Sequence, residues 1–480
     1  MTVGKEQIDS LLNSASEAAK TILKHVEEGK TIHVATHLDA DGLAAAGIIG
    51  KSLLRVGATF RLRIERWLDE KTIDGLALEK LQLIIFLDLG SGYLDLLNTK
   101  LSNHNIIILD HHQPVGEAAR NFTQVNPHLC GIDGSLDLSG AGVAYFVAKA
   151  LDEKNTDLAS LAVVGALGDI QDKYEQRRLG GVNEKLVEDA IEAGHLKVET
   201  DLLLFGRETR PIHKALALTT NPFIPGISGE EDKSLAFLAS LKITPKHKDK
   251  WRALKDLSDE EKRNLFSALA EYLASKGLST DIEKRLVGNI YTLTQEEPST
   301  PLRDAREFTV LLNATGRMDK AGLGAQICMG DRGAALEEAN EVLQEYRRAI
   351  ATSLNWLNEK PERIEERDNI YIARGNSSID DKMISAVSTI LSTTVPNPEK
   401  PIIAYSKIKG EDSVKISART LDVLTMKGLN LGEIMRIAAE KHAGTGGGHN
   451  IAAGGQVPIN NLEAFLKLVD RLVKKQLERT

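Results

Sequence analysis

Apolar residues along this chain occur either in short unbroken runs or at helical spacing, and the alternation of the two predicts an architecture. TIHVAT (31–36), LIIFLDLG (83–90) and NIIILDHH (105–112) are unbroken aliphatic runs ending in polar residues, the pattern of strands buried on both faces of a parallel sheet. LAAAGIIGKSLLRVG (43–57) and SGAGVAYFVAKALDE (139–153) have helical spacing. Strand and helix alternating in this order predict a doubly wound α/β fold with a parallel sheet. Residues 171 to about 300 are charged, rich in helix signals and without a convincing buried strand; Ser258 and Glu261 form a capping box that opens EEKRNLFSALAEYLASKGL. REFTVLLNATGRMDKAGLGAQICMGD (306–331) is apolar and glycine-marked again and is expected to return to the first domain. ALEEANEVLQEYRRAIATSLNWLNEK (335–360) predicts one long helix stopped by Pro361. A smaller α/β unit follows, with strands NIYIARG, PIIAYSK and SVKISART, helices over 379–392 and 432–442, and a glycine cluster. The expected organisation is a parallel-sheet domain over 1–200, a mostly helical insertion over 201–300, a return segment over 301–334, a connecting helix and linker over 335–365, and a C-terminal α/β domain over 366–480.

Composition narrows the class of protein. A chain of 480 residues exceeds one ordinary core, and 42% hydrophobic with 27% charged residues is a soluble globular balance. No apolar run reaches the roughly 18 residues that cross a membrane, and the N-terminus is an amphipathic helical pattern without a signal-peptide layout. The two cysteines, Cys130 and Cys328, have no metal-binding spacing, so a reducing, cytoplasmic setting is expected. The net charge of −8 lacks the basic footprint of a nucleic-acid binder, but a carboxylate-rich metal site is itself acidic until loaded. Aromatics at 4% argue against base stacking on many aromatic side chains as the main binding device. Residues 361–480 carry a slight excess of Lys and Arg over Asp and Glu while the rest is acidic, which points to the C-terminal part as the polyanion-gripping part.

The polar residues at the strand ends share one chemistry. After the first run comes His37-Leu-Asp39-Ala-Asp41-Gly, after the second Asp88-Leu-Gly, and the third ends in Asp110-His111-His112; the apolar helix LAVVGALGDIQD then delivers Asp169. In an open parallel sheet, ligands collect at the carboxyl ends of the strands, so these groups are expected to converge. Carboxylates mixed with imidazole suit a hard-to-borderline divalent ion, Mn²⁺ best and Mg²⁺ also. The set is large enough for two ions about 3.5–4 Å apart, the arrangement that activates water and stabilises a phosphoryl transition state. Near the C-terminus, Gly446-Gly447-Gly448-His449 reads as a loop whose backbone N–H groups can approach a phosphate, with a helix start after it. Ser417-Ala-Arg419 on the preceding strand adds a fork-shaped cation.

Asp39-Ala-Asp41-Gly, Asp88, Asp110-His111-His112 and Gly168-Asp169 resemble the four motifs of the DHH phosphoesterase superfamily, which includes RecJ-type exonucleases, small-oligonucleotide phosphodiesterases and family II pyrophosphatases. The resemblance implies that Asp39, Asp41, Asp88, His111 and Asp169 bind two Mn²⁺ or Mg²⁺ ions with Asp88 as the bridge. It also implies that His112 touches the scissile phosphate or assists the leaving group, and that Asp110 orients the histidines. Some relatives have a ligating histidine four residues before the first Asp; that position is Ala35 here, with His37 as the candidate replacement.

The C-terminal segments are similar to the substrate-binding domain that accompanies DHH enzymes, which implies that Arg419, His449 and the glycines hold the nucleotide across a cleft from the metals. LLNATGRM resembles the Asn-x-x-Gly-Arg segment of RecJ nucleases, making Asn313 and Arg317 candidate strand contacts. LLLFGRETRPIHKAL and REFTVLLNATGRMDKAGLG look like the archaeal RecJ-like branch, which is related to the eukaryotic cofactor joining the replicative helicase to the GINS complex. The insertion is similar in position to the module that binds such partners, so the resemblance implies GINS or replicative helicase components there. The expected activity is exonucleolytic cleavage of single-stranded DNA or RNA to mononucleotides in replication or repair. A phosphodiesterase of short oligonucleotides or cyclic dinucleotides and a replisome scaffold with little activity stand as alternatives; the glycine cluster and the large insertion disfavour a pyrophosphatase.

Overall fold

The three apolar runs form the middle of a five-stranded parallel sheet: β1 (Ile32–His37), β3 (Leu83–Leu87) and β4 (Asn105–Leu109). β2 (Phe60–Glu65) lies outside β1 and β5 (Phe122–Val125) outside β4, giving the order β2-β1-β3-β4-β5. All five residues of β3 are buried, because helices cover both faces. α3 (Glu70–Leu78) and α4 (Leu94–Leu101) share one core with Ala35, Ile84, Phe86, Ile106 and Ile108. On the other side α2 (Ala40–Arg55) and α5 (Gly140–Leu151) pack on the central strands, with α1 (Lys5–Glu27) and α6 (Ala159–Gly168) against α5. β2 and β5 were absent from the sequence reading for a physical reason. FRLRIE is an edge strand that is nowhere fully buried and carries two arginines, and FTQV is only four residues between turns.

The structure is a computed structural model that describes residues 3–79, 81–219, 224–275, 285–395 and 397–478. They divide into two units, 3–219 with 224–343, and 344–478. In the first unit α7 (Asn183–Glu192) leads into β6 (Leu196–Leu202), which pairs antiparallel with β9 (Val287–Leu293). These two strands enclose the segment read as helical and without strands; the alternating charges of LKVETDL hid β6 from a search for apolar runs. Between them lie α8 (Ile212–Leu218), α9 (Glu231–Ser240), the hairpin of β7 (Lys246–His247) with β8 (Lys250–Trp251), and α10 (Asp259–Ser275), around a separate core that includes Ile212, Leu216, Leu238, Leu265, Leu269 and Leu286. Ser258 caps α10: its hydroxyl accepts from the Glu261 amide at 3.2 Å, and Glu261 accepts from the Ser258 amide at 2.8 Å, the reciprocal box read from the sequence. α11 (Ala305–Arg317) and α12 (Ala321–Cys328) then pack on α6 and α2, back on the parallel-sheet core.

α13 (Ala334–Asn358) starts in the first unit and ends in the second. The second unit is a six-stranded mixed sheet, β10 (Ile364–Glu366), β11 (Tyr371–Asn376), β12 (Ile402–Lys407), β13 (Ser413–Arg419), β15 (Ala452–Pro458) and β14 (Thr445–Gly448) in that order. α14 (Ile384–Ser392) packs on β12 and β13. The short α15 (Asp422–Met426) follows, and α16 (Leu431–Glu440) and α17 (Leu462–Leu477) bury Ile434, Phe465 and Val469 with Ile372, Ile403 and Ile416. No described helix is long and apolar enough to cross a membrane.

Candidate metal centre

Each strand end of the parallel sheet contributes to one cluster. The order β2-β1-β3-β4-β5 reverses direction between β1 and β3, and that point in an open sheet is where the flanking loops part to leave a crevice. His37 ends β1 and Asp39 caps α2, its Oδ1 accepting from the Gly42 amide at 3.1 Å. The other carboxylate oxygen of Asp39 is 2.9 Å from His37 Nδ1. Asp41, in the first turn of α2, is fully buried and turned toward the start of α5, where the Gly140 and Ala141 amides donate to its two oxygens at 2.6 and 3.0 Å. That approach requires glycine at 140: a Cβ there would sit 2.7 Å from Asp88 Oδ1 and 3.0 Å from Asp41 Oδ2.

Asp88, just past β3, has φ +55°, a left-handed conformation that aspartate tolerates better than bulkier residues. Its Oδ2 lies 3.6 Å from His37 Nδ1 and its Oδ1 3.2 Å from His111 Nε2, so it faces both halves of the cluster. His111 Nδ1 is 2.6 Å from the Gly134 carbonyl oxygen. A carbonyl only accepts, so Nδ1 carries a proton and Nε2 is the ring atom turned toward the carboxylates. Nε2 is 3.0 Å from Asp169, which caps the end of α6, and 3.8 Å from Asp41. Two sets result, His37–Asp39–Asp88 and Asp41–His111–Asp169, each with its donor atoms within 4.8 Å of one another. Asp88 also groups with Asp110, His111 and His112. Asp110, however, is consumed by positioning: Oδ1 accepts from the His111 and His112 amides at 2.8 and 3.2 Å and lies 2.8 Å from His112 Nδ1, while Oδ2 accepts from the Ser91 amide at 2.9 Å. It orients the histidines more readily than it could hold an ion.

Burial pushes the Asp41 carboxyl well above the usual carboxylate range, and Asp88 and Asp169 add to the effect. Asp88 is likewise raised by burial and by Asp39. Burial disfavours charge on the His37 and His111 rings, but the surrounding carboxylates outweigh it and raise both. Burial also opposes charge on Asp110, yet His112, His111 and the Ser91 amide outweigh it and hold that carboxyl below the usual range. Asp88 Oδ1 and His37 Nδ1 are buried without a properly directed hydrogen bond. Buried carboxylates in excess, with donor atoms aimed at one another, fit divalent cations of the Mn²⁺ or Mg²⁺ type.

Of the other sequence-selected residues in the first unit, Asn313 reaches this site: its Oδ1 accepts from the Ala40 amide at 3.1 Å, beside Asp39 and Asp41. Arg317 lies one turn further along α11 and is half-buried. The remaining candidates lie in the second unit. Arg419 pairs opposite Ala452, whose carbonyl accepts from the His449 amide at 2.8 Å, so Arg419 and His449 sit at one end of that sheet. The Ser417 hydroxyl is buried 2.8 Å from that of Ser388 on α14, and Arg419 Nε donates to Thr389 Oγ1 at 3.0 Å. Gly446, Gly447 and Gly448 differ from the expected loop before a helix. They form β14, an edge strand paired with β15, and no helix follows them directly. The small size of Gly446 has a packing cause, since a Cβ there would lie 2.7 Å from the Met435 carbonyl oxygen of α16.

Sequence reasoning missed the residues that hold the candidate ligands and His112 in place. Gly140 and Ala141 clamp Asp41; Asn126 donates to the His112 carbonyl at 2.9 Å; and Gln171 donates to the Gly134 carbonyl at 2.9 Å while accepting from Asn183 at 2.7 Å. A signal existed for Gly140, because Ser139-Gly-Ala-Gly is a helix start stripped of bulk.

Residues 31–166 match the DHH family N-terminal domain, 204–287 the DHH-CID domain and 368–475 the DHHA1 domain. An uncharacterized protein of Methanocaldococcus jannaschii is 34% identical over 454 residues, 93% of this chain and 94% of that protein. The chain belongs to the DHH family. More narrowly, it is similar to the single-stranded-DNA-specific exonuclease RecJ of Thermus thermophilus, 28% identical over 193 residues, 38% of this chain and 28% of that protein. Two solved structures share its fold. RecJ of Thermus thermophilus in complex with Mn²⁺ has a TM-score of 0.60 and 18% identity, covering 96% of this chain and 55% of that one. CDC45 of Entamoeba histolytica has a TM-score of 0.65 and 14% identity, covering 96% of this chain and 99% of that one.

Proposed function

We propose that this chain is a two-metal phosphodiesterase of RecJ type, an exonuclease that degrades single-stranded DNA or RNA to mononucleotides. The observation that carries the reading is the pair of carboxylate–imidazole sets that share Asp88 as a common neighbour, with His112 beside them. His37, Asp39 and Asp88 would hold one divalent cation and Asp41, His111, Asp169 and Asp88 the other. Two such ions, when bound, supply an activated water and neutralise the charge that develops on the phosphate. The chain's own residues do the rest. Asp110 fixes His112 through Nδ1, leaving Nε2 of a ring that is 40% exposed to meet a substrate oxygen and give a proton to the leaving group. Asn313 steadies the start of α2, and Arg317 beside it is suited to a neighbouring phosphate. Arg419 and His449 of the second unit are suited to contact phosphate.

End-labelled single strands of DNA and RNA in several lengths, with and without Mn²⁺, test this directly. Asp88→Ala, folded by circular dichroism, is expected to cleave at least about a thousandfold more slowly, since a ligand of this kind is worth several kcal/mol. Cleavage above a tenth of the wild-type rate would sink the two-metal reading. A second reading is favoured by the likeness to CDC45, which spans nearly the whole of both chains. In it the insertion over about 200–300 binds a replication partner such as GINS or a helicase component, and deleting that insertion would abolish association while sparing hydrolysis of a short oligonucleotide.

A further inference from the structure

Two aromatic side chains stand beside the metal centre and take no part in it. β2 pairs with β1 so that Glu65 is level with His37, and the residues just past β2 therefore lie next to the His37–Asp39–Asp88 set. They are Arg66 and Trp67. The Arg66 guanidinium carbon is 4.7 Å from the centroid of the Trp67 ring, and Trp67 is 37% exposed. The link that carries the indole is anchored on its far side: Leu68 is buried in the core with α3 and α4, and Asp69 caps α3 by accepting from the Thr72 amide at 2.7 Å. From the turn after β3, on the other side of β1, comes Tyr93, also 37% exposed. Thus two rings follow the carboxyl ends of β2 and β3, on either side of β1, with a cation over one of them.

The metal set, His112 and Asp110 deal only with the phosphate. A nucleotide whose phosphate sits there also has a base, which needs a flat apolar surface, and stacking on an aromatic ring serves any base. Trp67 is one of only three tryptophans in a chain with 4% aromatics, and it is placed where one is useful rather than in the core. Its anchored backbone means that little freedom is lost when a base stacks on it. We propose that Trp67, backed by Arg66, is the stacking platform for the nucleobase next to the scissile phosphate. This rests on the nuclease reading and adds to it the feature of the substrate that is recognised at the cleaved end.

The test uses single-stranded oligonucleotides that carry either a normal nucleotide or an abasic residue at the cleaved end. Wild type is expected to favour the normal end by about tenfold or more in kcat/KM, the range for loss of one stacked base. Trp67→Ala should cleave the abasic substrate as wild type does and lose the preference, Trp67→Phe should retain part of it, and Mn²⁺ affinity by calorimetry should match wild type in both. Retention of the full preference by Trp67→Ala overturns the assignment while leaving the nuclease reading intact. So does an equal loss on both substrates, which would mark a merely structural indole. Wild-type protein that cleaves neither substrate would overturn the nuclease reading, and the platform with it.

Discussion

The carbonyl of Gly134 receives two hydrogen bonds, one from His111 and one from Gln171, and Gln171 is itself held by Asn183. Gln171 and Asn183 are fully buried, and neither lies in either three-residue set of carboxylate and imidazole donors. Their effect on His111 runs through the carbonyl that fixes its proton on Nδ1. Outer contacts of this kind typically tune metal affinity by about 10- to 100-fold. Gln171→Ala is therefore expected to weaken Mn²⁺ binding by about that factor while the far-ultraviolet circular dichroism stays as in wild type. Calorimetry that finds the same affinity would show that Gly134 alone suffices. The contrast between His111 and Gln171 also explains what the sequence discloses. His37, Asp39, Asp88 and His111 are legible because each follows an apolar run, and a reader who knows where strand ends go can place them together. Gln171, Gly140 and Asn126 are not, because their roles exist only after distant segments meet; the Gly140–Asp41 contact joins residues 99 positions apart.

At the level of elements, the insertion is secured at Glu261. Arg252 at the base of the β7–β8 hairpin donates to both Glu261 oxygens, at 2.7 and 2.5 Å, and Glu261 in turn completes the Ser258 box at the start of α10. The Arg252 hydrogen bonds, against the opposing effect of burial and helped by Ser258, draw the Glu261 carboxyl down to about 2. A carboxyl depressed in the folded state stabilises it above the ordinary value of 4.5 and loses that contribution as pH falls toward about 2. Solvent reaches this pair, so the contribution is on the order of 1 kcal/mol rather than the full shift. Glu261→Gln should thus be less stable by about 1 kcal/mol in urea at neutral pH, with the gap narrowing as pH drops below 4.5. A gap that is constant with pH would rule out the carboxylate as its source. Long apolar strands and capped helices such as β3 and α10 announce themselves in sequence. Edge or ribbon strands such as β2 and β6 do not, because few of their residues are fully buried. The glycine run misled for a related reason: without side chains β14 has no pattern to read, and only its pairing with β15 and the close approach of α16 reveal a strand.

As a whole the molecule has two units with separate cores, the parallel-sheet core around Ile84 and Phe86 and the C-terminal core around Ile416 and Phe465, and every residue of the metal centre belongs to the first. A ligand stabilises only the unit that binds it, by about 2.7 kcal/mol at a hundredfold excess over Kd. Scanning calorimetry should accordingly resolve two transitions, of which Mn²⁺ raises one and leaves the other in place; a single transition that moves as a block would contradict this. The family relationship fits the same division, since the DHH match at 31–166 and the DHHA1 match at 368–475 fall in different units. The left-handed turn at Asp88, the amides of α5 and the end of α6 also fix the order in which this site can come into being. His37 leaves the ribosome long before Asp169, and the amides that neutralise Asp41 come from residues 140 and 141. Until Asp169 has emerged and α6 has docked, the Asp41–His111–Asp169 set of a nascent chain is incomplete. A chain cut off before α6 would therefore present the His37–Asp39–Asp88 set without its Asp41–His111–Asp169 neighbour.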